Sequence, residues 1–183
     1  MTLKLIALGF RLAFQLGEMR YLQMTDIDIF NNTAADDAGG MYLYNSSPIM
    51  TDITISDNTA ADDGGGISIR NHTNLSMNNV IISGNSAETL GGGIHLFASN
   101  PKTVINVTIT GNKCENSIGA GCGIYLDGQS TMTILNSILW NNIDILNDMY
   151  MITSTFSNIQ GEIEGEGNIN VDPLFTDPEN DDY

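Results

Sequence analysis

The sequence predicts an all-β chain wound as a right-handed single-stranded parallel β-helix, or β-solenoid, of about five coils. Three observations carry this. First, the 183 residues include 21 Asn and 19 Gly. Both types are poor in helices and strand interiors and are favoured where a chain turns through positive φ. Such a chain turns often, and a helical bundle is excluded. Second, the sequence repeats itself with a period of 26 to 30 residues, and a fixed period of this size marks stacked units. Third, inside each copy apolar residues alternate with polar ones, the period of short strands.

The elements follow in order. Residues 1–23 include LKLIALGFRLAFQL from Leu3, apolar and helix-permissive. They read as a short N-terminal helical cap or as a degenerate first coil. A third reading is a degraded leader, with Lys4 before the apolar stretch, although Arg11 interrupts it. Residues 24–160 hold the repeats. These read TDIDIFNNTAADDAGGMYL from Thr25, TDITISDNTAADDGGGISI from Thr51, NNVIISGNSAETLGGGIHL from Asn78 and INVTITGNKCENSIGAGCGIYL from Ile105, with a partial copy, LNSILWNN, from Leu135. Copies laid down in the same order put like strand on like strand, in parallel, roughly 4.8 Å apart. The crossovers between them should be right-handed.

Stacking turns equivalent positions into columns. Asn32, Asn58, Asn85, Asn112 and Asn142 form one, spaced 26, 27, 27 and 30 residues apart. Asn at a turn tolerates the left-handed conformation and can pair its amide with the Asn above and below. Ala34, Ala60, Ala87 and Cys114 form a column of small residues. Gly40, Gly66, Gly93 and Gly123 form another, where the backbone bends sharply or passes close to its neighbour. Residues 161–183 carry eight acids, no base, and Pro173 and Pro178. They read as an acidic, loop-like tail, and stopping there reads as the truncation of a longer protein.

Charge narrows the function. The net charge is −16, and residues 21–183 hold three bases against 21 acids. That surface repels phosphate backbones, so nucleic acid is excluded as a partner. No run of 18 apolar residues exists, so no membrane-spanning helix is expected. No cofactor is called for, with calcium the one candidate. Asp36, Asp37, Asp62 and Asp63 occupy one loop position in adjacent coils, where stacked carboxylates repel and a Ca²⁺ ion would relieve them. Solvated acids screened by counterions are the alternative. Tyr42, Ser68, His95 and Tyr125 form a column beside the Gly turn. Aromatic and imidazole groups there would make a ligand surface, stacking on sugar rings; ordinary exposed strand residues are the alternative. Cys114 and Cys122 flank a three-residue insertion and read either as a disulfide, which suits an exported protein, or as two small core thiols. The bases Arg70, His72, His95, Lys102 and Lys113 sit in no catalytic motif.

The GGGI runs, the N-x-A pattern and Ser47-Pro48 before the next strand resemble the right-handed parallel β-helix repeat proteins. More narrowly they resemble the polymorphic outer-membrane-protein type of repeat, whose marks are GGA followed by Ile, Leu or Val, and FxxN. Here Ile29, Ile55, Ile82 and Ile109 stand at the Phe position, and GGAI becomes GGGI. Residues 165–182 look like the segment after the last coil of many secreted bacterial β-helix proteins. The resemblance covers roughly 25–182. It implies a secreted or cell-surface location, bacterial outer-membrane or extracellular. It also implies a non-catalytic role in adhesion, as a stalk, or in contact with polysaccharide or a host or cell-surface glycan. The alternative it implies is a fragment of a polysaccharide lyase or glycoside hydrolase of the pectate-lyase-like type. Such enzymes work with Asp clusters, or with Ca²⁺ and a basic residue. Asp62-Asp63 superficially fits a paired-acid site, but Asp36-Asp37 repeats it, as a repeat consensus would.

Overall fold

A computed structural model describes residues 3–5, 13–14, 22–71, 73–101, 103–115, 121–142, 151–161 and 163–177. His72 and Lys102 lie outside the described residues. The chain is a parallel β-solenoid. Two short strands, β1 (Leu3–Leu5) and β2 (Ala13–Phe14), come first. The first full coil is β3 (Gln23–Phe30), β4 (Thr33–Ala34) and β5 (Met41–Tyr44). The second is β6 (Ile49–Ser56), β7 (Thr59–Ala60) and β8 (Ile67–Arg70). The third is β9 (Ser76–Ser83), β10 (Ser86–Ala87) and β11 (Ile94–Phe97). The fourth is β12 (Thr103–Thr110), β13 (Lys113–Cys114) and β14 (Ile124–Asp127). Four coils therefore carry all three strands. After them β15 (Met132–Leu135), β16 (Ile138–Trp140), β17 (Ile152–Thr155) and β18 (Asn158–Ile159) extend only the longest sheet. Near the N-terminus the described residues are strands, not a helix: β1 pairs with β3 and β2 with β5.

Register follows the repeat. Ile53 pairs with Ile27 and Val80, Met50 with Met24 and Met77, and Ile94 with Ile67 and Ile124. Inward positions thus become continuous apolar columns, Ile29–Ile55–Ile82–Ile109–Leu139 among them, and together they form one buried core. At about 25 cal/mol per Å² of apolar surface, this burial is the main force holding the coils together.

The corners explain the composition. Left-handed residues recur at four places. Asp26, Asp52, Asn79, Asn106 and Asn136 bend the long strands, and Asn31, Asp57, Gly84, Gly111 and Asn141 end them. Ala38, Gly64, Gly91 and Gly121 precede the second strand face, and Asn45, Asn71, Ala98 and Gly128 follow it. Asn, Asp and Gly are the residues that tolerate this conformation. The Asn ladder itself is not left-handed, contrary to the expectation; the left-handed residue is the one just before it. This frees the Asn side chain to point inward. Asn58, Asn85 and Asn112 each accept through Oδ1 from the Asn of the coil before, and donate through Nδ2 to the Asn of the coil after and to a backbone carbonyl of the coil before. Asn58 Nδ2 donates to Asn85 Oδ1 at 3.0 Å and to the Ile29 carbonyl at 3.0 Å, and the pattern continues through Asn112 to Asn142.

A second polar ladder was not visible in the sequence. The Ser46 amide donates to Thr73 Oγ1, the Thr73 amide to Ser99 Oγ and the Ser99 amide to Ser130 Oγ, all four residues buried. The spacings of 27, 26 and 31 residues match the repeat, which is the signal that finds it. Part of the acidic tail is docked on the last strands: Asn158 exchanges two hydrogen bonds with the Val171 backbone, and Asn168 Nδ2 donates to the Ser154 carbonyl at 3.0 Å.

Cys114 and Cys122 are joined as a disulfide, with Cα atoms 5.3 Å apart, inside the range a disulfide spans. The bridge is buried against Leu90. Under non-reducing conditions the intact mass should fall two hydrogens below that of the reduced chain. In the chain-entropy account, closing so short a loop contributes about 2.5 kcal/mol, and reduction should lower the midpoint of urea unfolding accordingly.

Candidate ligand face

The outward face of the second sheet, built by β5, β8, β11 and β14, gathers most of the chemistry. Period two puts Met41, Leu43 and their equivalents inward. The residues between them therefore point out, in two columns. Tyr42, Ser68, His95 and Tyr125 are in register in one, and Tyr44, Arg70, Phe97 and Asp127 in the other. Tyr44 and Phe97 stay 39% and 43% exposed. The Tyr42 and Tyr44 rings are near-parallel with centroids 6.5 Å apart. Tyr125 sits tilted against His95 at 5.6 Å.

The first column is not the open platform that the sequence implies. Ser68 is fully buried and His95 is 2% exposed. For Ser68 the reason lies in Arg70, which folds back over its own strand. Its Nε donates to Ser68 Oγ at 3.3 Å, and its Nη2 donates to Asp37 Oδ1 at 3.1 Å and Asp63 Oδ2 at 3.3 Å. The guanidinium also lies 6.0 Å from the Phe97 ring centroid, within reach of a cation–π attraction. Tyr42 and Tyr125 remain half-buried at the two ends of the column.

The aspartates divide by role. Asp36, Asp37 and Asp62 bring carboxylate oxygens within 4.8 Å of one another, with Asp36 and Asp62 exposed. Asp63 turns elsewhere. It accepts from Thr89 Oγ1 and from the Leu90 amide, and its Oδ2 lies 3.4 Å from His95 Nδ1. That last contact is not a hydrogen bond: neither ring nitrogen of His95 has a hydrogen-bond partner among the described residues. Asp37 and Asp63 both have Arg70 as a counter-charge. Sequence reading named Arg70 only as a candidate base. Its register opposite Tyr44 and Phe97, two residues along from the ligand column, is the signal that places it.

Burial sets the ionisation of this cluster. It lowers the His95 pKa below the ordinary 6.5, more strongly than Asp63 raises it. It raises the Asp37 pKa above 3.8, with Arg70 opposing. Burial, then Asp127 and Asp63, raises the Tyr125 pKa above 10, so the phenol is a proton donor at neutral pH. The signs give a prediction. Below pH 6.5 the unfolded chain protonates its histidine while the fold resists, so the His95 contribution is full above 6.5 and lost as pH falls. Asp37 acts in the opposite sense: the fold takes up its proton first, so stability is regained as pH drops through its raised value toward 3.8. His95→Gln should therefore flatten the loss of melting temperature just below pH 6.5, read by thermal unfolding across a pH series.

A shallow pocket outside the short-stranded sheet of β4, β7, β10 and β13, about 170 Å³, is lined by Thr33, Ala34, Thr59, Ala60, Ser86 and Glu88, among others; it holds none of the predicted site residues. No helix among the described residues is long and apolar enough to cross a membrane. No curated protein and no solved structure matches the chain. A family model described as "right handed beta helix region" matches residues 21–169, the whole span of the four full coils, and the chain belongs to that family.

Proposed function

We propose that this chain is a non-catalytic segment of an exported or cell-surface protein, and that it contacts carbohydrate through the outward face of its second sheet. One observation carries the reading: Tyr42, Tyr44, Phe97 and Tyr125 share that face with Arg70, Asp37, Asp63 and Asp127. Sugar rings offer apolar CH faces to aromatic rings and hydroxyls to charged groups, and large aromatics held on rigid strands lose little entropy on binding. The disulfide supports export, since such bridges persist in oxidising compartments. A glycan array should return binding to at least one oligosaccharide class. Phe97→Ala should weaken it by about tenfold, the loss of one well-packed aromatic contact. An array with no signal, or a variant with unchanged affinity, would sink the proposal.

The catalytic alternative has one favouring observation, the Asp63–His95 contact, since an aspartate beside an imidazole is the orienting half of an acid–base pair. The buried His95 ring weighs against it. Incubation with pectin, alginate and related polymers, read by reducing ends and by unsaturation, separates the two. Turnover abolished by Asp63→Asn would establish the enzyme instead.

A further inference from the structure

We infer that the ligand face selects an oligosaccharide bearing protonated amines, an amino-sugar oligomer, and discriminates against uronate or other anionic sugars. The inference rests on the carbohydrate reading above and adds the charge of its ligand.

The argument begins with Arg70, the one cation on this face among the described residues. Its Nη2 is engaged by Asp37 at 3.1 Å and Asp63 at 3.3 Å, and its Nε by Ser68 at 3.3 Å. The arginine and both carboxylates are largely sheltered from water. Two carboxylates already stand against the single guanidinium charge, so an incoming carboxylate or sulfate meets a group whose positive charge is more than offset by its neighbours. Arg70 is thus spent on the fold. The neutral imidazole of the buried His95 adds no positive charge at pH 7.

The charges turned to solvent have the other sign. Asp36 and Asp62 lie at one edge of the face and Asp127 at its far end, all three exposed. Between them stand rings whose π faces attract cations: Tyr42 and Tyr44, with planes within 8° of each other, and Tyr125. An amino sugar matches both features, its apolar ring face on the aromatics and its ammonium groups toward the carboxylates. A uronate matches only the first and is repelled by the second. Because the acids are exposed, this preference must fade as salt screens it.

The test is calorimetry of the full chain with three oligomers of equal length: one of glucosamine, its fully N-acetylated neutral counterpart, and an oligogalacturonate. The glucosamine oligomer should bind about tenfold or more tightly than the acetylated one at low ionic strength, and the gap should narrow as salt rises. The oligogalacturonate should give no heat of binding. The pair Asp62→Asn and Asp127→Asn should erase most of the preference. Glu164→Gln with Glu166→Gln, exposed acids of the tail, should leave it in place. Equal affinity for the acetylated oligomer, or tight oligogalacturonate binding, would overturn the charge selectivity while leaving the carbohydrate face standing. A loss as large in the tail variant would reduce the preference to the net charge of −16 and overturn it too. No binding of any of the three would overturn the amino-sugar selectivity, while the carbohydrate reading stands or falls on the glycan array.

Discussion

Asn85→Ala should destabilise the fold by about 4 kcal/mol, whereas Asn32→Ala, at the same place in the repeat, should cost only about 1 kcal/mol. Asn85 is fully buried and its amide is saturated. Its Oδ1 accepts from the Asn58 backbone amide and from Asn58 Nδ2, both at 3.0 Å. Its Nδ2 donates to the Ile55 carbonyl at 2.9 Å and to Asn112 Oδ1 at 3.0 Å. Alanine orphans the Asn58 amide and one hydrogen of the Asn58 side chain, and takes a donor from the Ile55 carbonyl. Asn112 Oδ1 keeps the bond from the residue 85 backbone. Each orphan pays desolvation of about 1–3 kcal/mol with no return. Asn32 stands at the start of the ladder. Its Nδ2 donates to Asn58 Oδ1, but its own Oδ1 has no partner among the described residues, and Asn58 Oδ1 keeps the Asn32 backbone donor at 3.0 Å. Urea unfolding of the two variants beside the wild type measures the ratio. Equal losses would mean that the value of the Asn lies in its corner geometry rather than in the chain of amides.

The same contrast shows what the sequence holds and what it leaves out. Register was readable because a 26- or 27-residue period with inward Ile at fixed places leaves no other way to bury them: Ile29 over Ile55 over Ile82 over Ile109 follows from the spacing alone. The Asn ladder was readable for the same reason. What the period cannot show is how a side chain leans once its backbone is placed. Ser68 and His95 alternate outward just as Tyr42 does, yet both are buried: Arg70 lies back across Ser68 toward aspartates 33 and seven residues away in sequence, and His95 lies against Asp63 and the Tyr125 ring. That choice depends on a rotamer and on a charge pairing, and neither leaves a periodic trace. The Ser46–Thr73–Ser99–Ser130 ladder was hidden differently. Its members change residue type, and Ser and Thr are common enough in this chain to mask a column that only the spacing marks.

Gly65→Ala should be at least as damaging as Asn85→Ala, about 3–5 kcal/mol, although it adds a single methyl. In each of the first three coils the Gly pair before the second-sheet strand passes almost against the backbone of the next coil. A Cβ on Gly65 would lie 2.4 Å from the Gly92 carbonyl oxygen and 2.4 Å from that of Ser86. Neither atom belongs to a flexible side chain that can swing aside. Both are backbone of the third coil, whose Gly91 carbonyl takes the Gly65 amide at 3.2 Å and whose Ser86 amide donates to the Asn58 carbonyl at 2.8 Å. Relief means pushing two coils apart against the roughly 4.8 Å strand spacing. That movement would stretch the neighbouring rungs of the Asn58–Asn85 ladder as well. The comparison is Gly111→Asn. Gly111 has φ +67°, and a Cβ there meets nothing nearer than the Gly84 amide nitrogen at 3.6 Å. Its equivalents in other coils include Asn31 and Asn141, both left-handed. Asn should therefore be accepted at Gly111 within about 1 kcal/mol, while Ala at Gly65 is not, although Gly65 has no positive φ. Urea midpoints for the two variants decide whether glycine is kept here for closeness of approach or for handedness. A solenoid couples each coil to its neighbours alone, so the Gly65 variant should lose amide-exchange protection first in the second and third coils, around β7 and β10.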